Sequence, residues 1–322
     1  ILGIDNNTRK FFFGKDGDIS WIKNRLKKNL KNYSHYHIDI RNYNALKKIF
    51  QKHKKNIKVI IHAAAQPSHD WAKNKPFIDF DINAKGTLNL LELTRIYCPK
   101  SPFIFMSTNK VYGDASNRFR FVEKKTRYDL SHSNKYKKYG IPETFSIDQS
   151  KHSLFGASKL SADILVQEFG RYFGMKTGIF RGGCLTGPLH QGAELHGFLS
   201  YLLKCNLNNK KYFIKGYKGK QVRDNIHSKD LVKVFWHFFK KPRIAEVYNI
   251  GGGIYSNCSI IEANNIMEYF TKKKTKFLVE KSPRIGDHQW WISDIRKFKS
   301  HYPEWHLKYG IEKIIEDMFI NS

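Results

Sequence analysis

Acidic side chains are scarce in this chain. Its 322 residues carry 28 Asp and Glu against 57 Lys and Arg, for a formal net charge of +29. Cysteine is scarcer still. The four present (Cys98, Cys184, Cys205 and Cys258) stand far apart and make no CxxC pair. That spacing excludes a disulfide scaffold or a zinc framework and points to reduced thiols in a cytoplasmic protein. No run approaches the roughly 18 apolar residues of a membrane span. The opening ILGIDNNTRK does not have the basic segment and apolar stretch of a signal peptide. Zinc-finger spacing, RNA-binding sheet motifs and basic heptads are missing as well. The positive charge is mostly lysine, 44 residues against 13 arginines, spread along the whole length. It reads as a solvated lysine-rich surface rather than a nucleic-acid footprint, and it favours an anionic small molecule.

What is present is an alternation of strands and helices. GID (3–5) ends a short apolar run, and residues 18–32 have helical spacing. HIDI (37–40) reads as a strand and 43–54 as a helix. KVIIHAAA (58–65) is the continuous apolar run of a buried parallel strand. Residues 77–97 read as one long helix with Phe77, Phe80, Ile82, Leu88, Leu90, Leu91, Leu93 and Ile96 on its apolar side. FIFMST (103–108) is a strand, 113–151 a long polar segment, 157–173 a helix, and TGIFRGG (177–183) and EVYNIGGG (246–253) further strands. Such alternation implies an α/β fold: a Rossmann-type, doubly wound parallel sheet. Ligands of such sheets lie at the carboxyl ends of the strands. Asp5, Asp39, Ala63–Ala65 and Ser107–Thr108 fall at those ends. No GxxGxxG precedes Asp5, although a ribose-binding acid normally follows such a turn by about 20 residues. The expectation is a truncated chain, short of its first strand, glycine turn and helix, on the order of 30 residues.

Eight blocks occur in a specific order: IHAAAQPS (61–68), DINAKGTLNLLELTR (81–95), STNKVYGD (107–114), FGASKLSAD (155–163), FRGGCLTGP (180–188), GKQVRDNIHSKDL (219–231), YNIGGG (248–253) and RIGDH (284–288). Together they resemble the extended short-chain dehydrogenases/reductases of the NAD-dependent epimerase/dehydratase kind. STNKVYGD, GTLNLLE, GKQVRD and the insertion KKYGIPETFSID (137–148) are most like the CDP-paratose 2-epimerase (tyvelose epimerase) family. The resemblance implies an isomerase with tightly bound NAD and a CDP-linked dideoxyhexose substrate. The sugar would be oxidised transiently at carbon 2 and the hydride returned to the other face, in the biosynthesis of lipopolysaccharide or another cell-surface polysaccharide. It further implies a homo-oligomer. The NAD-binding domain would span 1–181, with 226–253 returning to it. A smaller, mixed sugar-nucleotide-binding domain would comprise 182–225 and 254–322.

By the same resemblance, Thr108 bonds the reacting sugar oxygen and Lys159 the nicotinamide ribose. Asp5 and Asn6 would take the adenosine ribose, Asp39 and Ile40 would flank adenine, Ala63, Ala64 and Ala65 would let the cofactor approach the backbone, and Asn83 would brace the site. Arg223 and Arg284 would reach the substrate diphosphate, as the bidentate geometry of arginine suits. Asn109, Lys110, His196 and Glu194 are further substrate-side candidates. His62, His152, His227 and His288 have no metal-ligand spacing, so no metal is expected.

One position departs from the family. The family carries YxxxK where this chain reads Phe155-Gly-Ala-Ser-Lys159. A phenyl ring moves no proton, so another group must act or the reaction must be slow or different. His152, Asp148, Tyr139 and Cys184 are the candidates by position, with His152 foremost.

Overall fold

The computed structural model describes residues 1–280 and 282–322. The chain runs β1 (Leu2–Ile4), α1 (Thr8–Phe13), α2 (Ser20–Asn29), β2 (Ser34–Tyr36), α3 (Tyr43–His53), β3 (Ile60–His62) and α4 (His69–Asn74). Next come α5 (Pro76–Phe80) and α6 (Gly86–Tyr97), joined through a π-helical turn at Asp81–Lys85, then β4 (Phe103–Thr108), β5 (Phe121–Glu123), β6 (Tyr128–Leu130), α7 (Ser153–Phe173) and β7 (Thr177–Gly182). The remainder is β8 (Cys184–Thr186), α8 (Phe198–Leu207), β9 (Lys211–Lys215), β10 (Val222–His227), α9 (Ser228–Lys240) and β11 (Glu246–Ile250). It closes with β12 (Asn257–Ser259), α10 (Ile260–Thr271), β13 (Lys276–Glu280), β14 (Trp290–Trp291), α11 (Arg296–His301) and α12 (Ile311–Ile320).

A parallel sheet ordered β11-β7-β4-β3 forms the centre. Its strands are apolar on both faces, as a sheet covered twice requires. Phe103, Phe105 and Ile179 pack with α3, α6 and α7 on one face. Ile104, Met106 and Phe180 pack with Val234, Phe235 and Phe238 of α9 and Phe298 and Tyr302 beyond it on the other. The period of two along β4 sorts these side chains. The doubly wound arrangement read from the sequence is therefore present, with one difference. β1 and β2 pair with each other in parallel but share no ladder with β3, so the first strands form a pair apart from the central set of four.

The second hydrophobic unit joins α8, β9, α10 and α12 around Leu202, Leu203, Ile214, Met267, Ile314 and Ile315. β10 carries the mixed sheet: it pairs with β8 and β14 in parallel and with β12 antiparallel. The glycines of YNIGGG are needed where that sheet meets the first. A Cβ on Gly251 would lie 1.9 Å from an Asp224 carboxylate oxygen, inside any tolerable contact.

Two local expectations are corrected and one is refined. The second strand is Ser34–Tyr36, and HIDI follows it as a turn, in which Asp39 binds Arg41 through both carboxylate oxygens. The polar segment 113–151 contains the β5–β6 hairpin. The helical stretch 76–97 buries Ile82, Leu90, Leu91 and Leu93, whereas Phe77, Phe80, Leu88 and Ile96 point outward.

Candidate active site

The carboxyl ends of β1, β3, β4 and β7 open into one cleft of about 780 Å³. Asp5, Asn6, Asp39, Ile40 and Ala63–Ala65 line one part of it. Thr108, Lys110, Phe155 and Lys159 line the middle, together with His69. Arg284, Asp287, His196 and Cys184 complete the wall contributed by the later half of the chain. Residues from the two ends of the chain thus meet because parallel strands all end on one side.

Thr108 ends β4, and its Oγ1 accepts a hydrogen bond from the Lys110 amide at 3.2 Å. It caps its own turn, and the hydroxyl proton stays available to the cleft. Lys159 lies one helical turn after Phe155 on α7, which puts both on one face. Its ammonium donates to the Met106 carbonyl at 2.8 Å and sits 4.2 Å from the Phe105 ring centroid. Burial brings its pKa down to about 7, partly offset by Asp163 and Asp79. Behind it, Asp163 binds Arg181 through both oxygens, at 2.9 and 3.0 Å, and accepts from Ser107 at 2.6 Å.

Phe155 is 7 % exposed and fills the place of the phenol with an apolar ring. The His69 imidazole meets that ring edge-on, with centroids 5.1 Å apart. His69 Nδ1 lies 2.8 Å from Ser153 Oγ. Ser153, at a positive φ of 59°, also accepts from the Gly156 amide at 3.2 Å, so it caps α7 while holding the imidazole. His69 stands two residues after Pro67, just past the alanine-rich strand end. Proximity to IHAAAQPS was the one available sequence signal, and it is easily missed.

Other expected residues sit elsewhere. His152, Asn83, Asn109 and Arg223 do not line the cleft among the described residues. His152 Nδ1 is 3.1 Å from its neighbour's carbonyl, Ser150 O, and Nε2 is buried without a partner. Asn83 accepts from the Gln66 amide and donates to Asp79 and Ser158, stitching the strand end to α7. Arg223 is held by Asp287 at 2.6 Å, and Lys110 shares the same carboxylate oxygen at 3.2 Å. That pair of cations holds the Asp287 carboxyl well below the usual range despite its burial. Arg284 does line the cleft, with only a 3.8 Å contact to Asp70. Cys184 is a thiol that burial pushes up to about 12. His196 contacts Arg9 at 3.2 Å, and burial lowers the pKa of both.

The residues at the ends of β1 and β3 fit one nucleoside end of a dinucleotide. Asp5 Oδ1 accepts from the Asn7 amide and leaves the other oxygen for a ribose hydroxyl. Ala63 and Ala64 are exposed and leave the β3 end open to close approach. No glycine-rich turn opening a helix lies on this cleft among the described residues. Arg9, which reading the sequence did not single out, is a further cation lining the cleft, bonded to the Gln191 carbonyl and His196 and with no carboxylate partner among the described residues.

Fold and cleft together define a class. Residues 1–251 match the NAD dependent epimerase/dehydratase family, and the chain belongs to it; it is an NAD-dependent enzyme. The chain is similar to the CDP-paratose 2-epimerase of Salmonella typhi, at 29% identity over 328 residues, 98% of this chain and 91% of that one. Among solved structures it resembles a UDP-glucose 4-epimerase of Thermus thermophilus in complex with NAD, with a TM-score of 0.74 and 20% identity over 99% of this chain and 98% of that one. It also resembles a tyrosine-to-phenylalanine mutant of the Bacillus cereus UDP-glucuronic acid 4-epimerase in complex with UDP-4-deoxy-4-fluoro-glucuronic acid and NAD. There the TM-score is 0.73 at 24% identity, over 99% of this chain and 90% of that one. The likenesses to solved structures are likenesses of fold.

Proposed function

We propose that the chain is an isomerase of a nucleotide-linked sugar, and specifically that it epimerises carbon 2 of a CDP-linked 3,6-dideoxyhexose. The observation that carries the reading is the cleft itself. It sets the Asp5 and Ala63–Ala65 shelf, the Thr108–Lys159 centre and the Arg284 cation on one continuous wall. The similarity to the Salmonella typhi enzyme supports carbon 2 and CDP.

Bound NAD supplies the hydride acceptor and donor. Asp5 receives ribose hydroxyls, and Lys159 turns its ammonium to the nicotinamide ribose. Thr108 hydrogen-bonds the reacting oxygen. Arg284 pairs with the diphosphate, where a guanidinium fork fits two oxygens. A cytoplasmic location and a role in cell-surface polysaccharide synthesis belong to the same reading. So does assembly with a second copy. Phe77, Phe80 and Leu88, beside Leu154, Ile164 and Tyr172 on the neighbouring α7, leave an apolar two-helix face that a symmetric partner would bury.

The test is direct. The purified chain, supplied with NAD, is incubated with CDP-paratose, UDP-glucose and UDP-glucuronate, and products are identified by NMR. Formation of CDP-tyvelose supports the reading. Conversion of a UDP-sugar alone moves the function to a 4-epimerase. A second reading, a slow NAD-binding homologue, is favoured by Phe155, and it is the outcome if no sugar is converted while NAD binds. Dehydration is disfavoured because Asn109 and Lys110 stand where dehydratases of this kind place an acid pair.

A further inference from the structure

The reading above leaves the proton of the sugar hydroxyl without a carrier, and the groups on the wall differ in their ability to take it. His152 lies off the cleft. The Cys184 thiol stays protonated at any physiological pH. The Lys159 ammonium donates to Met106 O and, in the reading above, is turned to the nicotinamide ribose rather than to the reacting hydroxyl. His69 lies on the wall, touches the Phe155 ring and is oriented by Ser153 through Nδ1. Its only side-chain hydrogen bond among the described residues is this one through Nδ1, which leaves Nε2 free. We propose that His69, held by Ser153, exchanges the proton of the reacting hydroxyl in place of the phenol that Phe155 does not have. This rests on the epimerase reading.

The step balances. As carbon 2 loses its hydride to bound NAD, the O–H bond breaks, the carbonyl forms and the proton goes to His69 Nε2. When the hydride returns to the other face, Nε2 gives the proton back to the oxygen. The Ser153 hydroxyl accepts from Nδ1–H, which leaves Nε2 as the lone-pair nitrogen, as in other oriented catalytic histidines. Burial and the Lys110 cation, then Arg284 and Arg223, against Asp287, lower the His69 pKa to about 3, so without substrate the ring is neutral and a weak base. A diphosphate paired with Arg284 offsets part of that positive charge and makes Nε2 more basic once substrate is bound. Proton uptake is thereby coupled to substrate binding.

Two measurements test this. In the ¹⁵N-labelled chain, histidine ring NMR is recorded with and without CDP, the His69 signals being identified by their loss in His69→Gln. The expected result is an Nδ1–H tautomer at pH 7 and a proton affinity that rises roughly tenfold or more with CDP. An Nε2–H tautomer, or an affinity unmoved by CDP, overturns the proposal without any turnover assay. In the NAD-loaded enzyme, His69→Gln should lose on the order of 10²–10⁴ in kcat. Adding Phe155→Tyr to that variant should restore at least roughly tenfold, because a phenol now carries the proton. A His69→Gln rate equal to wild type, or no recovery in the double variant, also overturns it. Wild-type enzyme that converts no nucleotide sugar instead sinks the epimerase reading, and the ring measurement still decides the state of His69.

Discussion

Lys159 Nζ donates to the Met106 carbonyl at 2.8 Å, and no carboxylate comes within ion-pair reach of it among the described residues. The ammonium is buried, and its pKa falls from an ordinary 10.5 to about 7. Between those two values the unfolded chain binds a proton that the folded chain does not. Stability therefore rises with pH through that window, and this contribution is lowest at its acid end. Lys159→Met removes the dependence. Chemical denaturation of both proteins from pH 7 to pH 9 should show the wild type gaining relative to the variant, by as much as a few kcal/mol. Parallel curves would mean that the ammonium is better solvated than its burial implies.

The pair behind it, Asp163 with Arg181, is held by two hydrogen bonds and almost no solvent contact. Arg181 also donates to the Tyr112 hydroxyl at 2.9 Å, which donates in turn to Asn249 at 2.8 Å. Replacing one member leaves the other charged and buried. Asp163→Asn should cost about 3–5 kcal/mol in urea denaturation. A loss under about 1 kcal/mol would place the pair among weakly contributing surface bridges.

The elements legible in the sequence are those whose burial is uniform. FIFMST and TGIFRG are covered on both faces, so their apolar runs mark them directly. The cleft wall followed from them: Asp5, Ala63–Ala65 and Thr108 needed only the rule that parallel strands end together, whereas Lys159, on α7, was legible only through the resemblance of FGASK to the family's motif. β2 was misplaced because Ser34–Tyr36 is half exposed and no more apolar than HIDI after it. His69 was not singled out because its two partners, Ser153 and Phe155, are more than 80 positions away. The outward Phe77 and Leu88 read as core because periodicity marks an apolar face and does not say what covers it.

Arg284 differs from Arg223 in what already holds it. Arg223 is committed to Asp287, whereas the Asp70 contact of Arg284 is long and half exposed. Arg284→Ala should therefore raise KM for the nucleotide sugar roughly 10- to 100-fold, the worth of about one charge-assisted bond. kcat should fall by less than KM rises, since a bond to the diphosphate is made in the ground state and the transition state alike. Arg284→Lys should recover only part, because an ammonium cannot fork two phosphate oxygens. Steady-state kinetics separates these outcomes, and an equal fall in kcat would place the residue nearer the chemistry than its position on the wall suggests.

Phe77 is 86 % exposed and Tyr172 81 %, values that are costly for rings facing water. They lie on two helices packed side by side, α7 and the continuous helical stretch from Pro76 to Tyr97, and the exposed positions along α7 recur at helical spacing. A two-fold partner would set the same two helices against them, burying both faces in a four-helix layer. Light scattering of the purified chain should then give a dimer. Phe77→Asp combined with Leu88→Asp places like charges in that layer and should shift the mass to the monomer at micromolar concentration. Neither side chain supports the core, so the variant should denature at nearly the same urea concentration as the parent. Dissociation without loss of fold would assign the face to the partner. A variant that stays dimeric would move the interface to another surface.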